Sequence, residues 1–125
     1  MSTSLISIII PVYNRIEEFR DALYSVLSQS YKDIEIIVID DGSSEDIKKE
    51  IIDKGVTYVR QENRGAPAAR NRGLELAKGD YVIFWDADVV ADPQMLKKLK
   101  KQLDKSPDAS FAYCNYNFGC FCFGY

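Results

Sequence analysis

Two carboxylates, Asp86 and Asp88, stand two residues apart after an apolar run, Tyr81–Trp85. If the backbone is still extended there, both side chains point to the same side, because side chains alternate along a strand. Paired carboxylates at the mouth of a pocket suit a hard divalent cation, Mg²⁺ or Mn²⁺, which also takes water and phosphate oxygens. The D-x-D pattern is common by chance, so two solvated or capping aspartates are the alternative interpretation.

A second acidic pair, Asp40 and Asp41, ends the apolar run Ile34–Ile39. Asp41 and Gly42 form a strong turn dipeptide, and the serine that follows could cap a helix. The turn explains the glycine and the serine but not the two adjacent acids. The sharper hypothesis is that one carboxylate accepts a hydrogen bond from a nucleotide base.

Three arginines, Arg64, Arg70 and Arg72, lie among small residues in the segment 64–73. Small residues let the backbone approach a ligand closely, and the guanidinium fork matches phosphate oxygens. In an acidic chain this cluster resembles a diphosphate clamp. The alternative for Arg70 is an ion pair with an aspartate that holds this edge of the fold together.

The elements that must position these residues alternate along the chain. Short β-branched or aromatic runs predict strands, at Leu5–Ile10, Ile34–Ile39, Val56–Val59, Tyr81–Trp85 and Ala109–Tyr113. The pattern predicts one α/β domain, a three-layer α/β/α architecture with a mainly parallel, Rossmann-like sheet. Ligands of such sheets lie beyond the carboxyl ends of the strands, so the clusters 11–14, 40–43 and 86–88 should converge on one edge.

Helices fill the intervals between the predicted strands. The first has apolar residues at helical spacing, at Phe19, Leu23, Val26 and Leu27. A polar helix is predicted over Glu45–Asp53, a third helix ends near Ala77, and a fourth begins with Asp92 as N-cap and Pro93 at its first position. This last helix carries a lysine run that is most simply its solvated side. A membrane-surface role for that run is the minority interpretation.

Composition excludes several classes of function. The 125 residues include 46% hydrophobic and 28% charged residues with a net charge of −3, so a basic nucleic-acid binder is not expected. Because the chain has no histidine, a His-ligated zinc site and a Ser-His-Asp triad are excluded. The opening apolar run stops at Pro11, too short to span a membrane. The three cysteines, Cys114, Cys120 and Cys122, are interpreted as reduced thiols in a cytoplasmic chain.

Four blocks of sequence, taken in order, resemble the nucleotide-binding half of family 2 glycosyltransferases, which have the GT-A fold. They are SIIIPVYN at 7–14, EIIVIDDGSS at 35–44, NRGAPAARNRGLELAKGDYVIFWDAD at 63–88, and the helix that follows. The resemblance covers residues 5 to about 113, and we expect a nucleotide-sugar-binding domain over 1–113 followed by an aromatic and cysteine-rich tail over 114–125. It implies binding of a nucleoside diphosphate sugar, with UDP-linked donors favoured, and inverting transfer of the sugar to an acceptor hydroxyl.

The resemblance also implies roles for individual residues. Pro11, Val12 and Tyr13 would border the nucleoside, and Asp41 would hydrogen-bond the base. Arg70 and Asn71 would lie against the nucleotide and its phosphates. Asp86 would approach the ribose or the metal shell, and Asp88 would ligate the Mn²⁺ or Mg²⁺ that bridges the two phosphates. A cation there would act as a Lewis acid toward the departing diphosphate.

One feature of the family is not found in this sequence. Inverting members take an Asp or Glu from their second half as general base, but the last acidic residue here is Asp108. We therefore expect the donor site without the base, and a nucleotide-sugar-binding module without turnover is the alternative function. A phosphoacceptor receiver domain is a distant alternative. The acidic pair of receiver domains follows the first strand, whereas Asp40 and Asp41 follow the second predicted strand.

The end of the chain is crowded with aromatic residues, between Phe111 and Tyr125. An apolar surface of this kind should not stay in contact with water on a monomer. We expect the tail either to cover an exposed face of the sheet or to pair edge to edge in a homo-oligomer.

Overall fold

The computed structural model describes residues 4–52 and 54–113, together with the backbone of residues 116–118 and 121–123. Four strands form the main sheet: β1 (Ile6–Val12), β2 (Ile34–Asp40), β3 (Thr57–Arg60) and β4 (Tyr81–Phe84). The helices are α1 (Ile16–Leu27), α2 (Ala66–Leu76) and α3 (Met95–Lys105), with a 3₁₀ turn at Lys48–Ile51. A separate antiparallel hairpin joins β5 (Tyr116–Phe118) to β6 (Phe121–Phe123).

The four-stranded sheet is parallel throughout, in the order β3-β2-β1-β4. In the register of the strands, Ile6 lies beside both Ile34 and Tyr81, and Val12 lies beside Asp40. Since all four strands run in the same direction, their carboxyl ends lie along one edge. The predicted parallel α/β sheet is therefore confirmed.

Helices cover both faces of the sheet. On β1, Ile8, Ile10 and Val12 belong to a core cluster that includes residues of α1 and α3. The intervening Ile9 belongs to a second cluster with Ala69 of α2. The period-2 alternation of a strand thus divides its buried side chains between two helical layers. The three-layer architecture is confirmed, with α1 and α3 on one face and α2 on the other.

The α2 helix packs closely on β1 because a glycine faces the strand. A Cβ placed on Gly73 would lie 2.3 Å from Cγ2 of Ile9, which is fully buried. Only a residue without a side chain lets the helix backbone approach the strand to this distance. This contact fixes the height of α2 above the sheet.

Several predicted element boundaries differ from the structure. The polar helix predicted over Glu45–Asp53 is instead one 3₁₀ turn at Lys48–Ile51, with Ile47 and Ile51 buried in the core. Ala109–Tyr113 is irregular rather than a fifth strand, and the additional strands lie further along the chain. The last long helix begins at Met95 after Gln94, and the Asp92 carboxylate accepts a hydrogen bond from the Gln94 N–H at 2.8 Å within the preceding turn.

A cavity of about 270 Å³ lies between β4 and α3, lined by Tyr81, Ile83, Leu99 and Phe111 among others. None of the predicted site residues lines it, so it is not the predicted donor site. In the described part of the chain, no helix has the length and hydrophobicity needed to cross a bilayer. Phe111 and Tyr113 are exposed, whereas the predictions for the three cysteines and for the rest of the aromatic tail fall outside the described side chains.

Candidate functional site

The loop after β1 is tied to the loop after β2 by Asn14. Its backbone N–H donates to Oγ of Ser43 at 2.7 Å, and its Oδ1 accepts from the N–H and the hydroxyl of Ser44 at 2.9 and 3.0 Å. Asn14 and Arg15 both have positive φ, 55° and 57°. Asparagine tolerates this left-handed conformation, but arginine adopts it rarely. The loop therefore holds Arg15 in a costly conformation directly before α1.

Asp40 is fully buried at the end of β2, and protein groups satisfy its carboxylate. Oδ1 accepts from the Ser43 N–H at 2.9 Å, which closes a local turn. Oδ2 accepts from the Tyr58 hydroxyl and from Nη1 of Arg60 at 3.1 Å. Asp40 therefore has the turn-forming role that was the alternative interpretation of the acidic pair. It also accepts hydrogen bonds from two side chains of β3.

The hydroxyl of Tyr58 makes this contact sensitive to alkaline pH. Burial, together with the hydrogen bond to the Asp40 carboxylate, raises the pKa of Tyr58 to about 12. Because the pKa of Tyr58 is higher in the folded state, its protonated hydroxyl stabilises the fold fully below pH 10, near the ordinary tyrosine pKa. This stabilisation is lost as the pH rises to about 12. We expect the free energy of unfolding of the wild type to fall by about 2 kcal/mol more than that of Tyr58→Phe over this window.

Urea denaturation at intervals between pH 9 and pH 12 measures this difference. Tyr24→Phe is the control, because Tyr24 is 74% exposed, and it should keep the wild-type pH dependence. Parallel curves for wild type and Tyr58→Phe would contradict the contact between Tyr58 and Asp40.

Asp41 holds the segment that leads into α2. Asp41 is 4% exposed, and its carboxylate accepts from Nε2 of Gln61 at 2.8 Å and from the backbone N–H groups of Arg64 and Gly65, each at 2.9 Å. Its own N–H donates to the carbonyl of Val12 at 2.8 Å. A carboxylate has about four acceptor positions, so three protein donors leave room for one more. Asp41 thus has a structural role that its sequence position did not reveal.

Asp86 and Asp88 lie in a turn, not in a strand. β4 ends at Phe84, and the Val89 N–H donates to the carbonyl of Asp86 at 3.0 Å. The alternation of side chains along a strand therefore does not determine where these two carboxylates point. Their side chains are 58% and 54% exposed, and each faces an arginine. Nη2 of Arg70 lies 3.2 Å from Asp86, and Nη1 of Arg15 lies 3.7 Å from Asp88.

This geometry brings three segments to one edge of the sheet. Arg70 comes from α2, Arg15 from the loop after β1, and both aspartates from the loop after β4. The ion pair that the sequence left as the alternative for Arg70 is present in the structure. Arg15 was not predicted, and its only signal is that it follows the 11–14 cluster.

The aspartates suit a cation that shares its ligands with a diphosphate. Within residues 4–52 and 54–113, no three Asp, Glu, Cys or His side chains come together to form a metal cage. Mg²⁺ and Mn²⁺ are commonly held by one or two carboxylates together with water and substrate phosphates. Asp86 and Asp88, open to solvent, match that pattern. The arginines beside them supply positive charge for the phosphate oxygens.

The other predicted residues are placed differently around this edge. Tyr13 is 52% exposed, and Pro11 is partly buried. Val12 is 2% exposed and its side chain packs in the core, so a nucleoside could meet only its backbone. Asn71 is exposed on α2, one residue after Arg70, and is therefore rotated by about 100° around the helix axis.

Comparison with known proteins supports the resemblance noted in the sequence. Residues 7–123 match the family described as glycosyl transferase family 2. The uncharacterized glycosyltransferase YibD of Escherichia coli is 39% identical, and the match covers 96% of this chain and 36% of YibD.

Solved structures agree in fold. The crystal structure of S. aureus TarS 1-349 in complex with UDP-GlcNAc has a TM-score of 0.73 at 28% identity, covering 80% of this chain and 31% of that one. Glucosyl-3-phosphoglycerate synthase from Mycobacterium tuberculosis, in complex with Mn²⁺, UDP and glucosyl-3-phosphoglycerate, has a TM-score of 0.67 at 26% identity, covering 80% and 39%. The chain thus spans about a third of the length of these proteins. With its parallel sheet of GT-A type, the chain belongs to glycosyl transferase family 2.

Proposed function

We propose that this chain binds a nucleoside diphosphate sugar, with a UDP-linked sugar favoured, together with Mn²⁺ or Mg²⁺. The observation that carries the proposal is the pair of exposed carboxylates, Asp86 and Asp88, each facing an arginine from a different segment. Alternating negative and positive groups at one edge suit a cation and a diphosphate bound side by side. The complexes of TarS with UDP-GlcNAc and of the mycobacterial synthase with Mn²⁺ and UDP support this ligand class.

In the proposed site each residue has a distinct role. Asp88 and Asp86 would hold the cation, which when bound would supply positive charge for the departing diphosphate. Arg70 and Arg15 are released from the carboxylates and turn toward phosphate oxygens. Asp41 uses its remaining acceptor position for the base. The nucleoside lies against Tyr13 and Pro11, with Asn71 near the phosphates.

The transfer itself is proposed for the enzyme as a whole. An acceptor hydroxyl, of a glycan or another compound, attacks the anomeric carbon with inversion as a carboxylate takes its proton, and the nucleoside diphosphate leaves as its bond to the anomeric carbon breaks. The resemblance implies that this base comes from the second half of such enzymes, and the chain spans about a third of the relatives' length. Binding of the donor nucleotide, rather than transfer, is therefore the direct test for this chain.

We also propose a cytoplasmic location, because the three clustered cysteines are interpreted as reduced thiols.

Calorimetric titration with UDP, GDP and CDP, with and without Mn²⁺, tests the site. For the wild type we expect the tightest binding with UDP and Mn²⁺. Asp88→Asn should lose about tenfold or more in affinity with Mn²⁺ and little without it, because a cation ligand of full charge is removed. The matched control is Asp108→Asn, which removes an exposed carboxylate elsewhere.

The outcomes separate the parts of the proposal. UDP affinity that Mn²⁺ does not change would contradict the metal site. A response of Asp88→Asn equal to that of Asp108→Asn would contradict Asp88 as ligand. Tighter binding of GDP than of UDP would contradict the uridine assignment alone.

A further inference from the structure

Two polar side chains, one in α1 and one just beyond its end, contact the loop that carries the acidic pair, defined here as the acidic loop, residues 86–94. Oγ of Ser25 accepts from the N–H of Ala91 at 2.7 Å and donates to its carbonyl at 3.1 Å. Nε2 of Gln29 donates to the carbonyl of Asp92 at 2.9 Å, and its Oε1 accepts from the N–H of Leu96 at 3.1 Å. Ser25 lies in the last turn of α1, and Gln29 follows the end of that helix at Leu27.

These contacts are made in the interior of the protein. Gln29 is fully buried and Ser25 is 4% exposed. Burying an amide or a hydroxyl is costly unless its polar atoms are paired, and among the described residues no buried side-chain polar atom lacks a partner. Both side chains pair with backbone groups of residues 91, 92 and 96, and Gln29 also donates to the Ser25 carbonyl at 3.3 Å. Their pairing therefore depends on the position of the loop.

The other end of the acidic loop is also fixed through its backbone. Trp85 is 2% exposed, and its Nε1 donates to the carbonyl of Val89 at 2.9 Å. The Asp86–Val89 turn therefore lies between the Trp85 side chain and the contacts that Ser25 and Gln29 make with residues 91 and 92. By contrast, the carboxylate of Asp88 is more than half exposed and has an arginine at 3.7 Å. The loop backbone, rather than side-chain contacts, therefore sets where this carboxylate lies.

We propose that Ser25 and Gln29 are positioning residues for the acidic pair. They hold the backbone of the acidic loop so that Asp86 and Asp88 present their carboxylates to a cation before any ligand arrives. The inference rests on the proposed metal-dependent nucleotide site and adds the residues that preorganise it. Residues that orient metal ligands typically change metal affinity by about 10–100-fold when they are replaced.

The test compares Ser25→Ala and Gln29→Leu with the wild type and with a core control, Ile36→Val. Ile36 is buried in β2, on the opposite side of β1 from β4, and the substitution removes one methylene from the core. The measured quantity is the Mn²⁺ enhancement, the UDP dissociation constant without Mn²⁺ divided by that with Mn²⁺. We expect the enhancement to fall about tenfold in both Ser25→Ala and Gln29→Leu. The dissociation constant without Mn²⁺, and the enhancement in Ile36→Val, should stay at wild-type values.

A second measurement needs no ligand. Trp85 is the only tryptophan of the chain, and it is hydrogen-bonded to the acidic loop. Acrylamide should quench its fluorescence more in Ser25→Ala and Gln29→Leu than in the wild type or Ile36→Val, under conditions where circular dichroism shows all four folded. Wild-type quenching together with wild-type Mn²⁺ enhancement in both Ser25→Ala and Gln29→Leu would overturn the inference. Absence of Mn²⁺ enhancement in the wild type itself would instead overturn the proposed site.

Discussion

Replacing Asp41 with asparagine should lower the free energy of unfolding by about 3 kcal/mol. The carboxylate accepts three hydrogen bonds, and two of them come from the backbone N–H groups of Arg64 and Gly65. An asparagine places an amide NH₂ where one carboxylate oxygen stood, so at least one of these donors faces another donor. Because Asp41 is only 4% exposed, a backbone N–H that loses its acceptor there is costly.

Urea denaturation monitored by circular dichroism measures this loss. Asp46→Asn makes the same chemical change at an exposed carboxylate, which accepts from the Lys49 N–H at 3.3 Å, and should stay within about 0.5 kcal/mol of wild type. We also expect weaker UDP binding by Asp41→Asn, since the released segment leads into the helix that carries Arg70. A stability equal to that of Asp46→Asn would contradict the structural role assigned to Asp41.

Gly73→Ala should also destabilise the protein by about 3 kcal/mol, although helix propensity alone predicts a gain of about 1 kcal/mol. The added Cβ would lie 2.3 Å from Cγ2 of Ile9 and within 3.3 Å of two more of its atoms. Ile9 is fully buried at the centre of the sheet and cannot move aside without disturbing β1. The substitution therefore pushes α2 away from the sheet.

The sign of the change distinguishes packing from propensity. Glu75→Ala, at an exposed position of the same helix, is the control and should change stability by less than about 0.5 kcal/mol. Because Arg70 lies on α2 one turn before Gly73, Gly73→Ala should also weaken UDP binding. A stabilised Gly73→Ala variant would show that α2 does not pack on Ile9 as described.

The strands and the two-sided sheet could be predicted from the sequence because their signals are local. Runs such as Ile36–Ile39 are β-branched and continuously apolar, a pattern typical of a strand buried on both faces. The amphipathic spacing of α1 is equally local. Convergence at one edge then follows from parallel strand direction alone.

The partners of the acidic residues could not be predicted in the same way. Asp40 pairs with Tyr58 and Arg60, and Asp41 with Gln61 and later residues, and such pairs depend on how β3 and α2 dock. β4 ends at Phe84, one residue before the predicted end at Trp85. The acidic pair therefore lies in a turn and not on the extended backbone that the alternation of side chains requires. The contacts of Ser25 in α1 and of Gln29 just beyond its end could not be predicted either, because their partners are backbone groups more than 60 residues later in the chain.

The central position of β1 has a consequence for how the chain is made. β1 pairs with β4, whose residues are about 75 positions later in the sequence, and with β2, about 28 positions later. During translation the edge of β1 that pairs with β4 stays unpaired until β4 has emerged from the ribosome, and β1 is rich in isoleucine. Such a segment can associate with other nascent chains, so yield during expression should improve at low temperature or with co-expressed chaperones.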